Sequence, residues 1–212
     1  MQFRPPRAAI YGVALLILAA CDIRVVDNTL RDVGTYYDEA RPTPENGALV
    51  ALAGSFGEAF ARVERNLRAA SFQIVSSDAA AGVIVARSTD PKLVACGELL
   101  SGPPGQVAPY KANAPLAMVE VPGADGGATF VRREFTSASE ITIRIGANPD
   151  DASTIAASIS ELHNATIRMT QLSDNAIIYD ETVAFYGTER ARFSRGVVCG
   201  SARGMRAIIR RS

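Results

Sequence analysis

The stretch that decides the fold is SFGEAFARVERNLRAASFQIVSSDAAAGVIVAR, residues 55–87. Ser55 followed three residues later by Glu58 is a capping box: the serine hydroxyl satisfies an early helix N–H, and the glutamate reaches back to the serine N–H. A helix therefore starts there. Phe56, Phe60, Val63 and Leu67 follow at spacings of four, three and four, so they share one face, while Arg62, Glu64, Arg65 and Arg68 fall mainly elsewhere. Such a helix has to lie on something apolar, and residues 72–75 and 83–86 supply it as two short β-rich runs. Between them, SSDAAAG carries the serines, the aspartate and the Gly82 of a turn. With a short strand at 48–53, the unit reads strand, helix, hairpin.

Downstream of this unit, alternation takes over. In EITIRI, residues 140–145, Ile141, Ile143 and Ile145 alternate with polar neighbours, as in a half-buried strand. Residues 154–159, 165–170 and 177–185 continue the pattern, separated by the turn signals NPDD, HN and SDN, and predict consecutive antiparallel strands in a meander. The Ala and Ser of STIAASIS leave a helix open for that segment. His163, in ELHNAT, falls in the turn between two of the strands, where a solvated histidine is expected.

Between the two regions, SGPPGQVAPYKANAP and PGADGGA make residues 98–138 an irregular insertion rich in glycine and proline, with strands at 118–121 and 128–134. Its most usable contact residues are Tyr110, Lys111, Arg132 and Arg133, a candidate interaction surface. The chain closes with GVVCGSARGMRAIIRR, in which Met205, Ile208 and Ile209 lie on one side and Arg203, Arg206 and Arg210 on others. The fold class that results is α+β, an amphipathic helix packed on an antiparallel β-sheet with one core and one insertion.

The first residues bear on compartment. Arg4 and Arg7 precede an uncharged and mostly apolar run, residues 8–20, in the order of a secretory signal. The run is shorter than the ~20 residues an ordinary transmembrane helix needs. It ends in Leu18-Ala19-Ala20-Cys21, which resembles the lipobox of bacterial lipoproteins. That resemblance implies cleavage after Ala20, attachment of a diacylglyceryl group to the Cys21 thiol, and acylation of the new amino terminus. One acyl chain binds a membrane marginally, whereas two or three hold a domain there stably. On this reading residues 1–20 are a signal peptide, 21–46 a lipidated N-terminus and flexible tether, and 47–212 a single α+β domain. Asp22, directly after the modified cysteine, resembles the retention signal of enteric lipoproteins and favours the inner membrane, with the outer membrane still open.

With Cys21 lipidated, Cys96 and Cys199 remain of three cysteines, and two cysteines in an oxidising compartment pair most economically as a disulfide. Their settings, LVACGEL and GVVCGSA, are alike: an apolar run, then Cys-Gly, each ending a strand. No Cys-x-x-Cys is present for thiol exchange, and a single histidine leaves a zinc site short of ligands.

A second resemblance rests on residues 55–87. A phenylalanine-led helix, a strand of GF-x-V type, a turn carrying aspartate and a strand of G-x-I-x-A type make this stretch similar to bacterial envelope lipoproteins with a helix-grip type of domain, as in the C component of the outer-membrane β-barrel assembly machine. Ser71 stands here where those domains have glycine before Phe72. The closing cysteine, small-residue turn and amphipathic helix resemble uncharacterised Gram-negative lipoproteins. These likenesses imply a fold and a compartment rather than an activity.

Charge and motifs narrow the function further. The chain has 22 basic and 22 acidic residues, and loss of Arg4 and Arg7 with the leader leaves it at about −2, so nucleic acid is not an expected partner. No Gly-x-Ser-x-Gly, Walker loop, His-Glu-x-x-His or Gly-x-Gly-x-x-Gly occurs. The adjacent acids Asp150–Asp151 and Asp180–Glu181 would point to opposite faces of a strand. The expectation is a non-enzymatic, membrane-anchored lipoprotein facing the periplasm, without cofactor or metal, that serves as scaffold or accessory subunit of an envelope protein complex. The alternative is a ligand- or polymer-binding module, or a small hydrolase, using the cleft between helix and sheet. An enzyme of that kind would place His163 with an acid such as Asp78 or Glu161 in one pocket.

Overall fold

The computed structural model describes residues 37–38, 49–101, 108–122, 128–202 and 204–211. The expected leader, the lipid-bearing Cys21 and all of the tether but residues 37–38 lie outside them.

Helix α1, Phe56–Ala69, begins at Ser55 as predicted. The Glu58 carboxylate accepts both the N–H and the hydroxyl of Ser55 at 2.8 Å. Its buried side consists of Ala59, Phe60, Val63 and Leu67, with Phe56 packed at the margin. The chain then reverses through Ser71, whose φ of 63° is a conformation that favours glycine. Strands β3 (Gln73–Asp78) and β4 (Val83–Ser88) form the expected hairpin. Asp78 closes its turn by accepting the N–H groups of Ala80 and Ala81 at 2.9 and 3.0 Å.

The frame of the molecule is a long two-stranded ribbon. Strands β9 (Ala128–Asn148) and β10 (Asp151–Gln171) have 21 residues each and pair antiparallel across a tight turn at Pro149 and Asp150. At ~3.3 Å per residue each runs ~70 Å. Shorter strands flank the ribbon at two levels. Nearer the turn, β4 pairs with β9, and β2 (Val50–Leu52) pairs with β10. At the far end, β8 (Leu116–Pro122) pairs with β9, and β11 (Ile177–Tyr186) pairs with β10. Two three-stranded sheets complete the architecture. One joins β1 (Tyr37–Asp38), β6 (Glu98–Ser101) and β7 (Ala108–Lys111), and the other β12 (Arg190–Arg192), β13 (Val198–Ser201) and β5 (Val94–Ala95). The short helix α2, Met205–Ile209, contributes Met205 and Ile209 to the α1 core. The fold is thus mixed α+β, a modest helix on an extensive antiparallel sheet.

Two expectations are corrected here. Residues 128–134 and 140–145 are parts of one strand, and so are 154–159 and 165–170, so neither a helix at 154–159 nor a turn at HN exists. The ribbon continues because every residue of 155–171 finds a partner on β9, including the polar ones that look like a break in the sequence. Within 98–138, read as irregular, the chain forms β6 and β7 as well as the two strands predicted there.

One face of the ribbon is inward throughout. On β9 it carries Val131, Arg133, Phe135, Ser137, Ser139, Ile141, Ile143 and Ile145, all buried, and on β10 the odd-numbered residues from Ala157 to Met169 point the same way by register. Nearer the turn this face packs on α1 in a core that includes Phe60, Val63, Leu67, Ile84 and Ile143. Beyond the middle it packs on β5, β6 and β13 in a second core around Phe135, Ile167, Phe185, Phe193 and the two cysteines. The space between helix and sheet, where a cleft was expected, holds the side chains of the first core.

Candidate functional site

Between the two cores the inward face turns polar. His163 stands opposite Ser139 on β9 and Phe185 on β11, and it is fully buried. Its Nδ1 lies 2.8 Å from the Ser139 hydroxyl and its Nε2 lies 2.9 Å from Glu161 Oε2. That carboxylate also accepts the Ser201 hydroxyl at 2.5 Å, from β13. The imidazole stacks on Phe185 with ring centroids 5.2 Å apart. The solvated histidine expected from the sequence is therefore replaced by a buried one, held by groups from three strands.

The order serine, histidine, acid is that of a nucleophile, its base and an orienting group. Its placement differs from a working relay in two respects. Ser139 is 2% exposed, so an external carbonyl has no approach to its Oγ. Glu161 is shared with Ser201, which ties the group to β13 rather than to a substrate cleft. As placed, the chain of hydrogen bonds joins Ser139, His163, Glu161 and Ser201 in a polar seam between two apolar cores, while the buried Ser137 hydroxyl beside it has no partner. Of the two acids proposed for His163, Glu161 meets it, and Asp78 closes a hairpin turn.

Above the seam lies the disulfide. Cys96 and Cys199 are bridged, with Cα atoms 4.0 Å apart. The pairing of β5 with β13 puts Ala95 opposite Gly200 and so brings the two cysteines side by side, as the matched Cys-Gly settings predict. Further along, Glu181 gathers a second polar group. It accepts the Ser194 hydroxyl at 2.5 Å, the Ser194 N–H at 3.0 Å, and the Tyr179 hydroxyl. Burial pushes the Glu181 carboxyl up, but these three donors bring it below the usual glutamate value. Tyr179 moves the other way: burial, together with its hydrogen bond to Glu181, pushes the phenol up to about 12. The Arg195 guanidinium sits 4.8 Å from the Tyr179 ring centroid.

The four residues expected to form a contact surface do not share one exposed face. Lys111 and Arg132 are exposed and Tyr110 is half-buried. Arg133 is entirely buried, with Nη2 donating to the Ala112 carbonyl at 2.5 Å and its guanidinium 5.9 Å from the Tyr110 ring centroid. It belongs to the interior because it holds an inward position between Val131 and Phe135. Asn113 anchors the same stretch, donating to the Pro91 and Val94 carbonyls at 3.1 and 2.6 Å.

What the far end exposes instead is apolar. On the outward face Leu116, Met118 and Phe130 are 58, 57 and 58% exposed, and Leu172 and Ile177 follow beside them at 42 and 58%. Register aligns Leu116 with Glu134, Arg168 and Asp180 across four strands, and Met118 with Arg132 and Thr170 across three. Phe130 and Leu172 line an open hollow of about 390 Å³ with Thr129, Gln171 and Ser173. The charged members are mutually engaged, Arg168 with Asp180 at 2.7 Å and Arg132 with Glu134 at 3.4 Å. The outward face of this end thus carries exposed apolar side chains set among paired charges. Sequence reading missed it because isolated exposed hydrophobics in a Pro/Gly-rich stretch carry no periodic signal.

Among the described residues no cluster of three or more His, Cys, Asp or Glu is placed to hold a metal ion, and no helix is long and apolar enough to cross a membrane. Compared with known protein families, curated proteins and solved structures, the chain matches none.

Proposed function

We propose that this chain is a membrane-anchored extracytoplasmic lipoprotein, lipidated at Cys21, that acts without catalysis as a scaffold or accessory subunit of an envelope protein complex. The observation that carries the compartment is the Cys96–Cys199 disulfide, fully buried between neighbouring strands, in a chain whose remaining cysteine closes a lipobox-like sequence. The domain is of the helix-grip type, a reading supported by the helix-then-hairpin unit of residues 55–87 lying on a one-sided antiparallel sheet. The partner is an envelope protein that covers the outward patch of Leu116, Met118 and Phe130. The second lipoprotein cue, Asp22, favours the inner membrane.

The test is in-cell crosslinking of C-terminally tagged protein, followed by separation of inner and outer membranes and identification of what co-purifies near stoichiometrically. Wild type is expected in a membrane fraction with one defined partner, and Cys21→Ala in the soluble fraction. Met118→Glu with Phe130→Glu is expected to lose the partner with the thermal midpoint unchanged, since both side chains are more than half exposed. A Cys21→Ala protein that stays membrane-bound removes the lipid anchor. A double variant that keeps its partner removes the patch.

A further inference from the structure

Arg133 is a buried charge whose neighbours do not neutralise it. Its side chain is fully buried on the inward face of β9, and only Nη2 has an acceptor, the neutral Ala112 carbonyl. Nε and Nη1 are buried with no hydrogen-bond partner. Among the described residues no carboxylate pairs with it: Glu181, on β11 beyond the intervening β10, is taken up by Tyr179 and Ser194. Burial presses the guanidinium toward deprotonation, yet arginine keeps its proton in proteins. A guanidinium isolated from water with no counter-charge is among the costliest things a core can hold.

Beside it is a small, partly open recess. A cavity of about 20 Å³ is lined by Arg133 and Arg195, the rings of Tyr110 and Tyr179, and the apolar side chains of Met169 and Ile167, with others of the second core. Two guanidinium groups therefore border one small, largely apolar chamber. Its volume admits about one water-sized body. Sulfate and phosphate, with four oxygens about a central atom, exceed it, and a carboxylate needs at least three heavy atoms.

We propose that this recess is a binding site for a single monatomic anion, chloride in the cell, held by the free Nε–H and Nη1–H of Arg133 and bordered by Arg195. The anion supplies the missing counter-charge and accepts the two unused donors at once. The site does not depend on the lipoprotein reading, since it rests on the interior of the folded domain alone.

The experiment uses the full chain, unfolded thermally in sodium bromide and in sodium gluconate of equal ionic strength, the second anion being too large to enter. Each tenfold excess of bromide over its dissociation constant stabilises a protein that binds it only when folded by about 1.4 kcal/mol, or about 3 to 6 °C in midpoint for a domain of this size. A higher midpoint in bromide is expected for wild type, and none for Arg133→Met, which keeps an unbranched apolar stem without the charge. Equal midpoints in the two salts for wild type, or the same bromide response in Arg133→Met, would overturn the site. Should that variant fail to fold, bromide-soaked crystals of the wild type decide: an anomalous peak touching Arg133 Nε or Nη1 is expected, and a cavity with water alone refutes the proposal.

Discussion

Cutting the Cys96–Cys199 bridge is the perturbation with the largest consequence to work out. The two cysteines are 103 residues apart in sequence, so in the unfolded chain the bridge closes a loop of roughly half the protein. The chain-entropy relation gives about 4.7 kcal/mol for a loop of that length at 25 °C. For a domain of ~160 residues, at about 2 to 4 °C per kcal/mol, the midpoint falls by about 10 to 20 °C. Cys96→Ala with Cys199→Ala is the cleaner variant, because both positions are fully buried and serine would leave hydroxyls there without designed partners. The assay is guanidinium unfolding of oxidised wild type, reduced wild type and the double variant. Beyond a lower midpoint, both unbridged forms should show a steeper denaturant slope, because an unlinked chain exposes more surface on unfolding. Reduction of the native protein should be slow and limited by opening of the structure, since neither sulfur is reachable from solvent. A double variant within about 1 kcal/mol of wild type would refute the argument. So would free thiols at both positions in protein isolated without reductant.

Three further outcomes are expected. Gly82 has φ of 68°, and a Cβ there would lie 2.2 Å from the Ile145 carbonyl oxygen, so Gly82→Ala should destabilise by about 2 to 4 kcal/mol through backbone strain and displacement of the β9 contact. Helical Gly57, with nothing within 4 Å of its added carbon, should be stabilised by alanine by about 0.5 to 1 kcal/mol; urea midpoints of opposite sign check the pair, and like signs would contradict it. Tyr179 should titrate at about 12 rather than with exposed tyrosines near 10. Its folded value is the raised one, so its stabilising contribution is complete below about pH 10 and is lost as pH rises toward 12. Phenolate absorbance of wild type against Tyr179→Phe follows this, and a wild type with no late-titrating tyrosine would disprove it.

The helix was legible because four large apolar residues keep one face from Phe56 to Leu67 and a serine–glutamate pair marks the start. The bridge was legible because matched Cys-Gly settings fell on strands that turned out to be neighbours. His163 was misplaced for a specific reason: histidine followed by asparagine reads as punctuation, and Glu161 before it breaks the apolar alternation. A signal was nonetheless present. Ala157, Ile159, Glu161, His163, Ala165, Ile167 and Met169 hold the same odd parity straight through the supposed turn, and a one-residue turn insertion would have flipped it. Val131, Arg133 and Phe135 carry the same message on the partner strand. Period-two reasoning failed there because it assigns polar residues outward, whereas this interior satisfies some of its polar groups in rows across strands. Which strands flank the ribbon at which level was not legible, since that depends on pairings between distant segments with no local mark.

The ribbon also sets the order in which this chain can assemble. β9 and β10 are joined by only two residues, so their pairing can begin at the turn and extend outward with almost no loop to close, while β2 must return to β10 across about a hundred residues, and β13 to β5 across a similar span. Local pairing of 128–171 is therefore expected to precede the distant additions, with the inward face of the bare ribbon as the template on which the two cores condense. Amide protons in the middle of that pair should be the last in the molecule to exchange, and those of the flanking strands should leave before them.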